Sequence, residues 1–307
     1  MKSARSRFSG WLLLCGWLTF SAAAQADDVI RLQRREADAQ AEYALRVMQE
    51  AMRRSEASHG PWRIEFHTEP IVRERVLEMI IDGSEVNAAV VASQPQWEER
   101  LLPVWIPLDM GVSGYRIGLI ARESQSRIEA VKTLAQLQQL RIGAGMGWSS
   151  RKIMEASGLQ LVLAPNQAGL TRMLAAGRMD YFPRSVREAF DELAEAQKAH
   201  PALIVDRHLL LVMPLPTYIF VSPAHPRLAQ RLQSGLESMV RDGSLLRMML
   251  QQHGGLLSQA DLCRRTLIRI PNPLLSARHP LQRRELWFDP FAPESGLCRK
   301  ASAERKS

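Results

Sequence analysis

The sequence has few of the residues that build metal centres, with three cysteines and seven histidines among its 307 residues. It contains no C-x-x-C or H-E-x-x-H motif, and no two histidines are four positions apart, the spacing that places two ligands on one helix face. We therefore expect no metal and no other cofactor. We expect a structural or surface role for each histidine, at positions His59, His67, His200, His208, His225, His253 and His279.

The sequence also lacks an apolar run long enough to cross a membrane as a helix, which takes about twenty residues. The run WLLLCGWLTF, at positions 11–20, is about half that length. Three basic residues precede it and SAAAQA follows it, which is the pattern of a secretory signal peptide. Residues 1–26 are therefore interpreted as a signal peptide cleaved after Ala26, and the mature protein as soluble and exported.

Charge of one sign is not concentrated anywhere in the chain. The formal net charge is +8, and removal of the three basic residues of the signal peptide leaves +5. A nucleic-acid-binding face would combine clustered lysines and arginines with a docking motif, so nucleic acid is not an expected partner. The excess charge fits either a mild preference for anions or a solvated surface.

The scarce cysteines fall into two groups. Cys15 lies in the signal peptide, where leucines rather than a small residue precede it, so the sequence does not favour lipid anchoring. Cleavage leaves Cys263 and Cys298 as an even pair in an oxidising compartment, which suggests a disulfide that ties the tail to the preceding segment. Two free thiols remain the alternative, because spacing alone cannot fix a pairing.

Strand-like and helix-like segments alternate along most of the chain, which predicts parallel βαβ units and an α/β fold. Two apolar strands near residues 115–122 and 215–222 enclose a block that could bury its own core. We therefore expect two lobes, with a ligand cleft between them at the carboxyl ends of the strands. The expected organisation is a first lobe over 27–114, a second lobe over 115–221 with a hinge strand at each end, return helices of the first lobe over 222–270, and an irregular tail over 271–307.

The segment RIGAGMGWSSRKIMEASG, residues 141–158, runs from a strand through three alternating glycines into a helix. It is not a dinucleotide-binding fingerprint, because Trp148 stands where the last glycine of G-x-G-x-x-G is needed. The pattern from Ser149 to Lys152 matches S-x-x-K, but the sequence has neither the S-D-N nor the K-T-G box that a penicillin-recognising enzyme needs.

What remains is a glycine turn that leads into a helix N-terminus. The free N–H groups and the dipole of a helix start favour an anion. Gly147, Trp148, Ser149 and Ser150 are therefore candidate ligand-binding residues. The alternative is that Ser149 or Ser150 only caps the helix.

Taken in order, the segments LAQLQQLRIGAGMGWSS, GLTRMLAAGRMDYFPRS and PTYIFVSPAHPRLAQRL resemble the type II periplasmic solute-binding proteins, the bacterial extracellular family 3 group. AAGRMDYFPR and the tail with NPLL and LWFDP resemble an uncharacterised subgroup of it. The resemblance covers nearly all of residues 28–255. It implies a periplasmic monomer whose two lobes close on a small organic solute, for delivery to an ABC permease or a membrane sensor.

The resemblance places an arginine in the first lobe, where amino-acid-binding members hold the α-carboxylate. In SQPQWEER that place is taken by Arg100, whose guanidinium suits a carboxylate because it can donate two parallel hydrogen bonds. The alternative is a surface arginine paired with Glu98 or Glu99 beside it.

The family's second lobe supplies an acid that holds the ligand's α-ammonium, five residues after the aspartate of the G-R-x-D motif. Counted from Asp180, that position is Ser185, with Arg184 before it. The departure implies a more anionic ligand, or one without the amine. Tyr181, like Trp148 and Phe182, could stack on an organic ligand or belong to the core.

The resulting hypothesis is a solute-binding protein for a small, anionic organic molecule, and not an enzyme. Two other classes stay open. An enzyme on the same scaffold, like the periplasmic dehydratases of this fold, would be favoured by an isolated acid in the cleft with a strongly raised pKa. An interaction module without ligand would be favoured by a cleft filled with apolar side chains.

Overall fold

The computed structural model describes residues 28–34, 39–69 and 73–298; the predicted signal peptide, with Cys15, lies outside the described residues. The strands are β1 (Asp28–Gln33), β2 (Trp62–His67), β3 (Ala88–Ala92), β4 (Leu102–Val104), β5 (Tyr115–Ala121), β6 (Arg141–Gly145), β7 (Gln160–Ala164), β8 (Phe182–Ser185), β9 (Leu203–Val205), β10 (Leu209–Val212), β11 (Thr217–Val221) and β12 (Thr266–Arg269). The helices are α1 (Ala39–Arg54), α2 (Glu56–His59), α3 (Arg73–Asp82), α4 (Pro95–Arg100), α5 (Gln125–Glu129), α6 (Leu134–Leu137), α7 (Ser149–Ala156), α8 (Gln167–Ala175), α9 (Ala189–Gln197), α10 (Pro226–Arg241) and α11 (Ser244–Gln259). Within these ranges, no helix has the length and apolar character needed to span a bilayer.

The first lobe is built on β1 to β4 together with β11. β1 and β2 are parallel, and β11 lies antiparallel between β3 and β4. Asn87, just before β3, joins the two parts of the sheet. Its backbone N–H donates to the Arg31 carbonyl at 3.0 Å and its side-chain amide donates to the Val29 carbonyl at 2.8 Å. A fully buried asparagine is tolerated here because its polar groups have partners.

Helices α1, α10 and α11 pack together on the first lobe and contribute much of its apolar core. A Cβ atom at Gly235 would lie 2.0 Å from the Ala51 carbonyl oxygen, so glycine allows α10 to approach α1 closely. Arg231, on the same helix, is fully buried and donates to the Asp28 carboxylate at 2.8 Å and to the Gly60 carbonyl at 2.6 Å. The buried charge is therefore paired, as it must be to be stable.

The second lobe has a mixed sheet in the order β12, β10, β5, β8, with β9 paired to the far end of β5. β6 and β7 are parallel, and a bridge between Ile142 and Tyr181 places β6 beside β8. Apolar side chains cover both faces of this sheet. The strands of each lobe confirm the expected two-lobe α/β architecture. The largest apolar cluster is shared between the lobes, because it includes Ile117 and Leu210 of the second lobe.

The pairing of two strands shows where the chain passes between the lobes. β11 lies within 115–221 but pairs with β3 and β4 of the first sheet, so the chain re-enters the first lobe before this strand. β12 lies within 222–270 but pairs in parallel with β10 of the second sheet. The chain therefore passes between the lobes a third time, after α11.

The tail has no strand or α-helix after β12 in the described residues, and specific contacts hold it. A disulfide joins Cys263 to Cys298, with their Cα atoms 5.5 Å apart. The backbone N–H of Phe288 donates to the Met110 carbonyl at 2.8 Å, and the Tyr115 hydroxyl donates to the Phe288 carbonyl at 2.6 Å. The tail is therefore fastened beside the segment where the chain first leaves the first lobe.

The disulfide closes a loop of 35 residues, and such a cross-link stabilises by about 3 to 4 kcal/mol in the chain-entropy model. Thiol titration of denatured, unreduced protein that begins at residue 27 should detect no free thiol. Replacement of both Cys263 and Cys298 by serine should lower the free energy of unfolding in a urea titration. Two reactive thiols per chain would contradict the bond.

His253, on α11, is buried with its ring edge-on to Tyr43, at 5.3 Å between ring centroids. Its Nε2 atom has no hydrogen-bond partner in the described part of the chain. Burial, assisted by the charge of Arg187, lowers the pKa of His253 from 6.5 to about 4. The folded protein therefore holds this imidazole neutral at pH values where the unfolded chain takes up a proton.

The free energy of unfolding should consequently fall as the pH drops from 6.5 towards 4, because the unfolded state then binds more protons than the folded state. The contribution of His253 is roughly 3 kcal/mol at most, at about 1.4 kcal/mol per pKa unit. In His253→Phe, which keeps a ring against Tyr43, urea unfolding should depend less on pH over this range. Equal pH slopes in the two proteins would refute the assignment.

Candidate functional site

The candidate site is a cleft between the two lobes with a volume of about 140 Å³. Pockets for drug-sized molecules usually measure roughly 300 to 1,000 Å³, so this cleft suits a small solute. Its walls come from the first lobe, from the β6–α7 turn of the second lobe, from the segment before β11 and from the tail. The lining residues are Ser93, Gln94, Pro95, Glu98, Met146, Gly147, Trp148, Ser149, Arg151, Lys152, Ile153, Leu215, Asn272, Leu274 and Leu275.

The glycine turn brings the start of α7 to the cleft. The Met146 N–H donates to the Ala164 carbonyl on β7, and the Trp148 N–H donates to the Gly145 carbonyl, which turns the chain out of β6. α7 then begins at Ser149, with Trp148 as the N-cap residue and no side-chain hydrogen bond that caps it. No serine hydroxyl caps α7 among the described residues. The Arg151 N–H donates to the Trp148 carbonyl at 3.0 Å, so the N–H groups of Ser149 and Ser150 are those left for another acceptor.

Gly145 is required by the position of Trp148, since a Cβ atom there would lie 2.4 Å from the indole ring. The indole stacks on Phe182 with 5.9 Å between ring centroids, and the Arg184 guanidinium lies over it at 4.1 Å. Gly147 differs, because a Cβ atom there would meet nothing within 4 Å. One glycine of the turn therefore makes room for the tryptophan, and another leaves the cleft open.

Gly145→Ala should push the indole off Phe182 and destabilise the fold by roughly 1 to 3 kcal/mol, the usual cost of overpacking. Gly147→Ala is the matched control and should change the free energy of unfolding by less than about 0.5 kcal/mol. Urea denaturation measures both effects, and near-ultraviolet circular dichroism follows the indole. If the two variants have equal stability, the role assigned to Gly145 is wrong.

Two basic residues of α7 line the cleft. Arg151 donates to the Met146 carbonyl at 3.0 Å, so part of its guanidinium stabilises the turn itself. Lys152 is exposed, and no ion pair of its ammonium group occurs among the described residues. Together with the start of α7, Lys152 gives this wall of the cleft a positive potential.

The opposite wall carries a buried acid, Glu98 of α4, which is 7% exposed. Its Oε1 accepts a hydrogen bond from the Ser93 hydroxyl at 2.7 Å and lies 3.0 Å from Nε2 of His279 in the tail. Nδ1 of His279 lies 3.1 Å from the Tyr218 hydroxyl. Burial lowers the pKa of His279, although the neighbouring carboxylate acts in the opposite direction. A neutral His279 that donates to Glu98 and accepts from Tyr218 satisfies every contact.

The sequence indicates Glu98 only as a possible surface partner of Arg100. In the structure Arg100 pairs instead with Glu78, at 2.6 and 2.9 Å, and its side chain is 44% exposed. It is not among the residues that line the cleft. The structure therefore places Arg100 outside the cleft lining, because its guanidinium pairs with Glu78 on α3.

Four further candidates also lie outside the cleft lining. Ser150 and Ser185 are both 2% exposed, and Tyr181 is fully buried with its hydroxyl 3.4 Å from Asp206. Arg184 pairs with Glu188 and Glu192. It supports Trp148 from behind, so its connection to the site is indirect.

A raised carboxylate pKa would suggest a catalytic acid, and a cluster of ligand side chains would suggest a metal site. Burial raises the pKa of Glu192, but this carboxylate bonds to Arg184 and does not line the cleft. No group of three or more potential metal ligands occurs in the described ranges.

Comparison with known proteins gives structural likenesses only. No family model matches the chain, and no curated protein matches it. An amino acid ABC transporter substrate-binding protein from Streptococcus pneumoniae bound to L-arginine is 14% identical over 74% of this chain and 94% of its own, with a TM-score of 0.47. A histidine kinase sensor domain similar to periplasmic binding proteins is 16% identical over 74% of this chain and 96% of its own, with a TM-score of 0.48. An ancestral amino-acid-binding protein, a precursor of cyclohexadienyl dehydratase, is 13% identical over 73% of this chain and 94% of its own, with a TM-score of 0.46.

Proposed function

We propose that this protein is an exported solute-binding protein that captures a small organic molecule between its two lobes. The observation that carries the proposal is the cleft, to which both lobes contribute and whose polar groups converge on a small volume. Ser93 and Glu98 come from the first lobe, while Ser149 and Lys152 come from the second. Such an arrangement lets a ligand bridge the lobes and hold them together.

We propose that the solute carries an anionic group that lies against the start of α7. The free N–H groups of the helix, the Ser149 hydroxyl and the Lys152 ammonium would all donate to it. At position 185, where the resemblance implies an acid in the second lobe, this chain has a buried serine. The cleft still has a carboxylate, because Glu98 of the first lobe lines it.

The proposed setting is the periplasm, with a monomer that delivers its solute to an ABC permease or reports it to a membrane sensor. Closure would use the segments near 115–122 and 215–222 as hinges. We propose a binding protein rather than an enzyme. An interaction module without ligand is the second candidate, because Leu215, Leu274 and Leu275 make part of the cleft wall apolar.

A thermal-shift screen of organic acids, amino acids and neutral sugars tests the proposal. A ligand at about one hundred times its dissociation constant stabilises by roughly 2.7 kcal/mol, so an acid that binds the cleft should raise the melting temperature measurably. Lys152→Ala should weaken binding of that acid by about tenfold or more, since a charged hydrogen bond contributes roughly 1.5 to 3 kcal/mol.

Lys198→Ala is the matched control, because Lys198 lies on the surface beside α9 and pairs with Glu195. It should bind the acid as the parent protein does. Stabilisation by sugars alone, or equal binding by the Lys152 and Lys198 variants, would overturn the anion site. A screen in which nothing stabilises the protein would favour the interaction module.

A further inference from the structure

The tail and the first lobe together build a polar network that ends in the cleft. Glu98 is held through Oε1 by Ser93 and by His279, and His279 is held in turn by Tyr218. The His279 side chain is fully buried, and its ring meets Trp105 edge-on at 5.2 Å between centroids. The carboxylate therefore has one orientation, fixed by residues from the β3–α4 connection, β11 and the tail.

The two oxygens of this carboxylate are used unequally. Oε1 has partners at 2.7 and 3.0 Å, whereas Oε2 accepts one long hydrogen bond, from the Ser276 hydroxyl at 3.5 Å, and lies 4.0 Å from the Arg278 guanidinium. A carboxylate oxygen can accept two hydrogen bonds. Oε2 thus keeps acceptor capacity on a residue that lines the cleft.

A buried carboxylate is costly unless it is fully hydrogen-bonded. We infer that Glu98, oriented by His279, is a recognition site for a hydrogen-bond donor on the ligand, an ammonium or hydroxyl group at the end away from α7. The inference rests on the proposed function, because the anionic end of the same molecule lies at the start of α7. The ligand class is then a short organic acid that carries an amino or hydroxyl group at a distance from its carboxylate.

Three probes of similar size test the inference: 4-aminobutyrate, 4-hydroxybutyrate and pentanoate. All three have one carboxylate, but only the first two have a donor at the other end. Calorimetric titration should give dissociation constants at least about tenfold lower for 4-aminobutyrate and 4-hydroxybutyrate than for pentanoate, because a charge-assisted hydrogen bond is gained. Binding of all three to a similar extent would overturn the role of Glu98 and leave the anion site standing.

Glu98→Gln keeps the size of the side chain and an oxygen for Ser93 and His279, and it removes the charge. The preference for 4-aminobutyrate over pentanoate should shrink to less than about threefold. His279→Gln should reduce the same ratio, because Glu98 loses its orientation. The ratio separates recognition from a loss of folding, which would weaken all three probes together.

His225→Gln is the control for the loss of a histidine hydrogen bond, since His225 contacts the Gly83 carbonyl at 3.0 Å, among residues that do not line the cleft. It should leave the ratio unchanged. An unchanged ratio in Glu98→Gln would overturn the inference, and so would the failure of all three probes to bind the parent protein. The wider acid screen decides the proposed function separately, so the two failures are distinguishable.

Discussion

The contact between Glu98 and His279 is the interaction on which the arrangement of the cleft depends. It joins residues 181 positions apart in the chain, one on the short helix α4 and the other in the irregular tail. Neither would be stable alone, because an unpaired buried carboxylate and an unpaired buried imidazole both lose the hydrogen bonds of water. Their mutual hydrogen bond, and the one between His279 and Tyr218, offset the free-energy cost of burying both groups and fix one wall of the cleft.

The sequence predicted those parts of the fold and site that depend on local chemistry. Alternating strand and helix patterns indicated two α/β lobes, and both sheets are present. The segment around Gly145 and Gly147 indicated a turn into a helix, which is present between β6 and α7. Gly147, Trp148 and Ser149 line the cleft, and their contact with a ligand stays a prediction. These features were predictable because a strand, a glycine turn and a helix start are each determined by a few neighbouring residues.

The rest depends on contacts between distant segments, and no local pattern could supply them. Arg100 has the residue type expected for a carboxylate site, but its direction is set by Glu78 on another helix. No local sequence pattern marks Glu98 as buried, because its partner His279 lies 181 positions away in the tail. Between α5 and α6 the chain also begins a new helix at Thr133, which forms a capping box with Gln136.

The tail constrains how the two lobes can move. The Pro271 carbonyl accepts from Ser157 of the second lobe at 3.1 Å, and Asn272 donates to the Pro214 carbonyl before β11 at 2.8 Å. Further on, Arg283 pairs with Glu237 on α10 of the first lobe at 2.6 Å. A rotation of one sheet against the other must therefore bend the tail between residues 272 and 283, where it lines the cleft and carries His279. The segment that such a rotation would bend is therefore continuous with the residue that orients Glu98.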